Sequence, residues 1–190
     1  MKVRNLTILV AHPDDELIFG WPVLVKAKKI IACVDDMTHG TRQWCRGRKA
    51  ALEEICAMLG TECEILRFDS GFSRLPQENG SLRVFVEAVR KAIKDEGLIF
   101  THNAWGEYGH LDHVLINSLA RQSGKTIWTT DICMDADWYR PSAHEQGLPF
   151  QGVRNDMDLY RKCVEIYRKH GAFGWPYEPI QECNLIEVAP

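Results

Sequence analysis

The sequence lacks the features of membrane proteins, nucleic-acid-binding proteins and secreted disulfide proteins. No stretch approaches the ~18 apolar residues needed to cross a bilayer. There is no run of basic residues, and 23 Lys and Arg stand against 26 Asp and Glu, for a net charge of −3. The seven cysteines form no C-x-x-C pair, and several lie in apolar segments. We therefore expect a cytoplasmic protein with reduced thiols, no membrane span and no nucleic-acid partner.

The sequence does contain enough apolar residues for one core. With 190 residues, of which 45% are hydrophobic, a single domain spanning 1–190 is expected. Apolar runs of strand length occur at residues 6–11, 30–34, 63–68, 98–101 and 126–133. Segments with helical character lie at residues 15–28, 47–59, 81–94 and 156–169. This alternation predicts an α/β fold, a Rossmann-like three-layer sandwich with a mainly parallel sheet covered on both faces.

Two parts of the chain do not fit this alternation. Segment 134–153 has little periodicity and is long for a connection, so we interpret it as a functional loop or lid. Aromatic residues occur at 138–140 (Trp-Tyr-Arg) and at 173–177. They could stack on a sugar, but core packing or a subunit interface, as in a homo-oligomer, is the favoured interpretation.

Two clusters of histidines and carboxylates follow predicted strands. The first, His-Pro-Asp-Asp-Glu at 12–16, comes directly after the first strand. The second, Tyr-Gly-His-Leu-Asp-His at 108–113, comes shortly after the fourth. In a doubly wound sheet of order 3-2-1-4-5, the first and fourth strands are neighbours, and ligands bind at their carboxyl ends. The two clusters are therefore expected to face each other across one crevice.

The residue types in these clusters are those of a hydrolytic metal site. Two histidines and a carboxylate commonly bind catalytic zinc and leave room for water and a substrate oxygen. His110 and His113 can share one face of a helical turn, as can His12 and Asp15, and not all of them need bind. Asp14 or Asp15 could serve as general base. Each cluster alone could be a helix cap or a structural histidine, but the two together favour a metal site.

At these residues the chain resembles the PIG-L/LmbE-like zinc-dependent N-deacetylases. Their first signature, A-H-P-D-D-E, is complete at residues 11–16. Their second, Y-G-H-P-D-H, is present at 108–113 with Leu111 in place of proline. The similarity extends over roughly the first 120 residues. It implies a Rossmann-like fold and hydrolysis of an N-acetyl group, usually on a glucosamine-type sugar, so the expected substrate is a small molecule or a glycoconjugate.

The resemblance also implies a metal-binding set and a general base. His12, Asp15 and His113 would hold the metal, which is expected to be zinc, with iron(II) as the alternative. Asp14 would be the general base that activates the metal-bound water.

Further roles follow from the same resemblance. His110 would polarise or protonate the tetrahedral intermediate. Asp112 would orient the His110 ring through a hydrogen bond. Tyr108 could add an oxyanion donor. Arg48 corresponds to an arginine that contacts the substrate in relatives, although Ala51 stands where a glutamate often follows it. A plain helix-surface arginine is an equally good interpretation of Arg48.

Other candidate residues carry weaker expectations. His39 follows the second predicted strand and could line the crevice, but a loop histidine without a role is favoured. His102 lies outside the signature. We expect it, at most, to contact the metal ligands without binding the metal itself. Cys45 and Cys56 have no identifiable partners for a nucleophilic site, and no G-x-S-x-G is present.

Three alternatives stay open. A metal-dependent hydrolase could cleave another amide or an amidine on a small polar metabolite. A nucleotide-binding Rossmann module would need a glycine-rich turn where the chain has acidic residues 14–16. A structural metal site would usually be a closed set of four Cys and His ligands, but both clusters lack cysteine.

Overall fold

The computed structural model describes residues 5–34, 41–68, 81–134 and 148–188. Its strands are β1 (Leu6–Val10), β2 (Lys29–Val34), β3 (Glu62–Phe68), β4 (Leu98–Thr101), β5 (Thr126–Thr130), β6 (Leu148–Arg154) and β7 (Glu182–Val188). Its helices are α1 (Asp15–Ile18), α2 (Arg42–Leu59), α3 (Ser81–Ala92), α4 (Gly106–Gly109), α5 (Leu111–Arg121) and α6 (Met157–Lys169), with a 3₁₀ turn at Leu24–Lys26. No helix among these residues has both the length and the apolar character that crossing a membrane requires.

All seven strands form one sheet in the order β3-β2-β1-β4-β5-β7-β6. The first five are parallel and have the predicted doubly wound order. In this part Ile8 of β1 lies opposite Ile30 of β2 and Phe100 of β4. The last two strands are antiparallel, since β7 pairs with β5 and β6 pairs with β7. The predicted α/β fold with a mainly parallel sheet is confirmed.

Apolar side chains cover both faces of the sheet, which explains why its central strands read as continuous apolar runs. On one face Ile8 packs in a cluster with Leu52 of α2 and Tyr167 of α6. On the other face Leu9 packs in a cluster with Phe85 of α3 and Ile116 of α5. Successive residues of β1 thus point into different layers, and the result is a three-layer sandwich.

The prediction of one helix over residues 15–28 is wrong. Helix α1 has only four residues, and the 3₁₀ turn follows it. Pro22 lies between them, and a proline disfavours helical geometry at the residue before it and lacks a backbone N–H to donate. Helix α2, in contrast, begins before the predicted residue 47, because the Thr41 hydroxyl accepts from the Trp44 N–H at 3.1 Å and caps a helix that starts at Arg42.

The interpretation of segment 134–153 as a loop is also partly wrong, because residues 148–153 belong to β6. This strand lies at the edge of the sheet, where Pro149 is tolerated, and its register shifts between Pro149 and Gln151. Residues 135–147, including the aromatic residues at 138–140, lie outside the described residues, as does His39.

Gly47 marks the place where α2 packs against the end of α6. A Cβ at this position would overlap the carbonyl oxygen of His170 and lie 3.0 Å from the Cβ of Ala172. Alanine favours a helix by about 1 kcal/mol over glycine, but overpacking of a backbone contact costs more. We expect Gly47→Ala to lower the free energy of unfolding by about 1–3 kcal/mol in urea denaturation.

Gly97→Ala is the matched control, because the nearest atom to its added Cβ, the Cβ of Asn5, is 3.9 Å away. Its free energy of unfolding should stay within about 0.5 kcal/mol of the unsubstituted protein. Equal stability of the two variants would contradict this packing of α2 on α6.

Candidate active site

The two histidine-carboxylate clusters meet at one edge of the sheet. Strands β1 and β4 are parallel neighbours, so the segments that leave their carboxyl ends, 11–16 and 102–113, lie side by side. Across the two segments, His12 Nε2 and Asp112 Oδ2 are 3.4 Å apart. The rings of His12 and His110 are 4.9 Å apart. The structure thus brings together residues that are about 100 positions apart in the sequence.

A tight turn separates the two aspartates of the first cluster. Asp14 has a left-handed backbone with φ 110°, a conformation that costs a non-glycine residue about 1–3 kcal/mol. Hydrogen bonds hold this turn: the Asp14 N–H donates to Glu16 Oε2 at 2.8 Å, and the His12 N–H donates to Asp15 Oδ2 at 2.8 Å. Asp14 precedes α1 without a side-chain capping bond. The helix-cap interpretation therefore does not explain Asp14.

Asp15 lies at the centre of the site. One of its oxygens, Oδ2, is 3.2 Å from His12 Nδ1, 3.3 Å from His113 Nε2 and 3.4 Å from His102 Nε2. Burial acts to raise the pKa of Asp15, but the three surrounding rings hold this pKa well below its usual range. The carboxylate is therefore ionised and surrounded by imidazole nitrogens.

His113 has a lone pair without a partner. Its Nδ1 lies 2.8 Å from Glu107 Oε2, and burial acts to raise the pKa of Glu107 while His102 and His113 hold it at about 2. The ionised carboxylate can only accept, so His113 Nδ1 carries a proton. Within the part of the chain that the structure describes, His113 Nε2 is buried and has no hydrogen-bond partner. His113 Nε2 thus faces Asp15 Oδ2 at 3.3 Å without a hydrogen bond between them.

A divalent cation fits between these two atoms. Tetrahedral zinc with bonds of 2.0–2.1 Å separates its ligand atoms by about 3.3 Å. Asp15 Oδ2 has this spacing to His12 Nδ1, at 3.2 Å, and to His113 Nε2, at 3.3 Å. Two of the three ligand separations in this set therefore suit a metal, and two histidines with one carboxylate would leave open positions for water and substrate.

A second possible set of ligands, Asp15, His102 and His113, is also close enough for one ion. The hydrogen bonds of His102 argue against it. His102 Nε2 accepts from the backbone N–H of Ala11 at 2.9 Å, so its lone pair is already in use.

A third possible set replaces Asp15 with His110, beside His12 and His113. Burial and the neighbouring His113 and His12 lower the pKa of His110 to about 4, so the ring is neutral near pH 7. Its Nδ1 accepts from the Asp112 N–H at 3.2 Å, which places the ring proton on Nε2. His110 therefore offers the site a hydrogen-bond donor and not a metal ligand.

Asp14 is paired with Arg48, which reaches it from α2. Arg48 Nη2 forms a short ion pair with Asp14 Oδ1, and Arg48 Nε donates to the carbonyl of Pro13 at 2.6 Å. Arg48 is only 7% exposed, so its interpretation as a helix-surface arginine is wrong. Burial raises the pKa of Asp14 to about 6, and the guanidinium opposes that rise. A carboxylate with such a pKa is suited to accept a proton near neutral pH.

Asp112 and Tyr108 complete the predicted set. The hydrogen bond between Asp112 and His110 comes from the backbone N–H of Asp112, whereas its carboxylate Oδ2 lies 3.4 Å from His12 Nε2. Tyr108 is 43% exposed, and its ring lies edge-on to His110 and His113 with centroids 5.6 and 5.5 Å away. Burial and the nearby carboxylates raise the pKa of Tyr108, so its hydroxyl stays protonated and can donate.

The sequence analysis missed Glu107 and Asn103. Glu107 is buried, and its Oε2 lies near the Nδ1 atoms of both His113 and His102, at 2.8 and 3.1 Å. Asn103 holds it through two reciprocal hydrogen bonds of 3.0 and 2.9 Å between their side chains and backbone N–H groups. The visible signal in the sequence is a carboxylate between Gly106 and Gly109, in a segment that follows a buried strand.

Of the C-terminal aromatic residues, Phe173 packs against the first apolar cluster, as the core-packing interpretation expects. Trp175 lies edge-on to Phe19 at 5.5 Å, and Phe19 in turn contacts the His113 ring at 5.6 Å. Tyr177 is 49% exposed. Trp175 and Phe19 therefore form one wall beside the site.

Comparisons with known proteins agree with this architecture. A family model described as PIG-L, GlcNAc-PI de-N-acetylase, matches residues 7–123. The uncharacterized protein L374 of Acanthamoeba polyphaga mimivirus is 26% identical, with 59% of this chain and 54% of that protein matched. The chain thus spans about half the length of the viral relative that it matches.

Several solved structures share the fold at low sequence identity. The A40926 pseudoaglycone deacetylase Dbv21 has a TM-score of 0.64 at 13% identity, with 97% of each chain covered. The N,N'-diacetylchitobiose deacetylase of Pyrococcus horikoshii has a TM-score of 0.57 at 16% identity, covering 87% of this chain and 70% of that one. GalB, a 4-carboxy-2-hydroxymuconate hydratase of Pseudomonas putida KT2440, has a TM-score of 0.59 at 11% identity, covering 98% and 97%.

At these identities the structural likeness establishes the fold alone, and a fold shared by deacetylases and a hydratase does not identify a reaction. The family match is independent of the structural likeness and includes both signature segments, 11–16 and 108–113. Because it covers more than half of the 190 residues, this chain belongs to the PIG-L family, whose model is described as GlcNAc-PI de-N-acetylase.

Proposed function

We propose that this protein is a metal-dependent hydrolase that removes an N-acetyl group from an N-acetylglucosamine-containing metabolite or glycoconjugate. One observation carries the proposal: the buried acceptors Asp15 Oδ2 and His113 Nε2 face each other at 3.3 Å, beside a separate carboxylate, Asp14. A cation site next to an independent base is the arrangement that a metal-dependent hydrolase uses to cleave an amide. The family description supports both the amide bond and the sugar, and several solved structures with this fold, among them Dbv21 and the diacetylchitobiose enzyme, are named as deacetylases.

His12, Asp15 and His113 would hold the metal, which we propose is zinc, with iron(II) as the alternative. Such a metal lowers the pKa of a bound water and polarises a substrate carbonyl.

Asp14 acts as the general base in this mechanism. It takes a proton from the attacking water, whose oxygen bonds to the amide carbon, and the resulting tetrahedral intermediate loses the amine when its C–N bond breaks. The leaving amine needs a proton, which the protonated Asp14 can return. Arg48 positions Asp14 through their ion pair and favours its ionised form, since its charge lowers the pKa of Asp14.

His110 and Tyr108 stabilise the intermediate as hydrogen-bond donors. The neutral His110 ring carries its proton on Nε2, because the Asp112 N–H occupies Nδ1. This N–H can polarise the carbonyl oxygen or protonate the intermediate, and the Tyr108 hydroxyl adds a second donor.

Hydrolysis of another small polar amide would use the same residues, and analysis of the released acid separates the two reactions. A nucleotide-binding module is less well supported. The turn after β1 carries Asp14, Asp15 and Glu16, and Glu16 Oε2 accepts the Asp14 N–H that a phosphate would need.

The first prediction separates the base from the ligands. Asp14→Asn should retain about one metal per chain but lose acetate release by about 10²–10⁴-fold, because only proton transfer is removed. His113→Ala should lose the metal together with the activity, because a ligand is gone. We would measure metal content by mass spectrometry, and acetate release on a panel of N-acetylglucosamine derivatives.

Asp158→Asn is the matched control, since its side chain is 86% exposed on α6, and it should retain both metal and activity. A protein that binds metal but releases no acetate from any N-acetyl sugar or conjugate would refute the proposed substrate. A protein that binds no metal would refute the site.

The second prediction concerns pH. The acidic limb of kcat/KM reports the ionisation of the base in the free enzyme. Since Arg48 lowers the pKa of Asp14, Arg48→Gln should raise that pKa and move the acidic limb to higher pH. Arg48→Lys keeps the positive charge and should move the limb less. If Arg48 instead acts by contacting the substrate, KM will rise in Arg48→Gln while the limb stays in place.

A further inference from the structure

Two histidines, His102 and His113, lie beside Asp15 in nearly equivalent positions. The rings of His102 and His113 are stacked with centroids 3.7 Å apart and planes at 18°. Both Nε2 atoms face Asp15 Oδ2, at 3.4 and 3.3 Å. Both Nδ1 atoms face Glu107 Oε2, at 3.1 and 2.8 Å. By distance alone, either ring could serve as the metal ligand.

The hydrogen bonds distinguish the two rings. A backbone N–H is always a donor, so the bond from Ala11 N–H to His102 Nε2, at 2.9 Å, occupies the lone pair of that nitrogen. His113 Nε2 has no such donor among the described residues. A free lone pair on His113 nevertheless requires that its ring proton stay on Nδ1. A neutral ring with the proton on Nε2 would donate a hydrogen bond to Asp15. That bond would occupy the position between the two residues that the metal needs.

We propose that Glu107 is the positioning residue that keeps His113 Nε2 open for the metal, by accepting the Nδ1 protons of His113 and His102 on one carboxylate oxygen. This inference deepens the proposed function and rests on its metal site, but it does not depend on the substrate. Hydrogen-bond partners of this kind fix the tautomer and orientation of ligating histidines. Substitution of such a partner commonly lowers metal affinity.

The surroundings of Glu107 hold its carboxylate in place. Its backbone is left-handed, with φ 55°, and its side chain is 1% exposed. Oε1 accepts from the Asn103 N–H at 3.0 Å, and the Glu107 N–H donates to Asn103 Oδ1 at 2.9 Å. The Glu107 carbonyl also accepts from the Met134 N–H at 2.7 Å. The carboxylate therefore cannot turn away from the two rings without breaking buried hydrogen bonds.

Glu107→Gln tests this arrangement with little change in shape. An amide has one oxygen that accepts and one NH₂ that donates. If the oxygen keeps the bond from the Asn103 N–H, the NH₂ faces both Nδ1 atoms and favours the tautomer of His113 with its proton on Nε2. If the amide is reversed, its NH₂ meets the Asn103 N–H, and a buried donor loses its partner.

The experiment measures tautomers and zinc affinity on the full chain. In the metal-free, unsubstituted protein at neutral pH, ¹⁵N NMR of the histidine rings should show His102 and His113 protonated on Nδ1. In Glu107→Gln, His113 should shift to the Nε2-protonated form. Zinc affinity, measured by competition with a chromophoric chelator, should fall about 10–100-fold. The matched control is Glu87→Gln, at an exposed glutamate paired with Arg83, and it should leave both measurements unchanged.

Three results would overturn the proposal. One is an unsubstituted protein in which His113 is protonated on Nε2, which needs no variant and decides the question even if Glu107→Gln fails to fold. Another is a Glu107→Gln variant that binds zinc within about twofold of the unsubstituted protein. The third is a loss of zinc affinity without a change in the His113 tautomer, which would assign Glu107 a purely structural role. Because no substrate is used, absence of deacetylation leaves this test unaffected.

Discussion

The parallel pairing of β1 with β4 is the constraint on which the site depends. It places the ends of both strands at one edge of the sheet, so that Asp15 from one segment and His113 from the other come within 3.3 Å. The contact continues past the strands, because the Ala11 N–H donates to His102 Nε2. Apolar residues on both faces of these strands hold the pairing rigid, and this positions the side chains of the site precisely.

The turn at Asp14 also places the two adjacent carboxylates, Asp14 and Asp15, in different surroundings. Its left-handed backbone points Asp14 toward Arg48 and leaves Asp15 among the histidines. The guanidinium lies close enough to Asp14 to favour its ionised form, whereas the rings hold Asp15 as an anion. On the opposite segment, hydrogen bonds make a similar division, since His113 presents a lone pair and His110 presents an N–H. The chemistry of the site thus follows from which lone pairs are already occupied.

Much of this arrangement could be predicted from the sequence. The five parallel strands contain short apolar runs, and their order brings residues 11–16 and 108–113 together. Strands β6 and β7 were not predicted, because Pro149 and Gly152 are typical of loops and because polar residues interrupt the apolar residues of Glu182–Val188. Sequence alone also could not show the burial of Arg48 or of Glu107. Both depend on contacts between distant segments and, for Glu107, on a left-handed backbone that its residue type disfavours.

The central claim is that His12, Asp15 and His113 form the metal site, and that His102 and His110 do not. Anomalous diffraction at the zinc absorption edge, from crystals grown with zinc, tests it most directly. The account predicts one strong peak, with Asp15, His12 and His113 within about 2.0–2.2 Å of the ion and with His102 Nε2 still bonded to the Ala11 N–H. A peak that is ligated by His102 or His110, or no peak between the two segments, would contradict it.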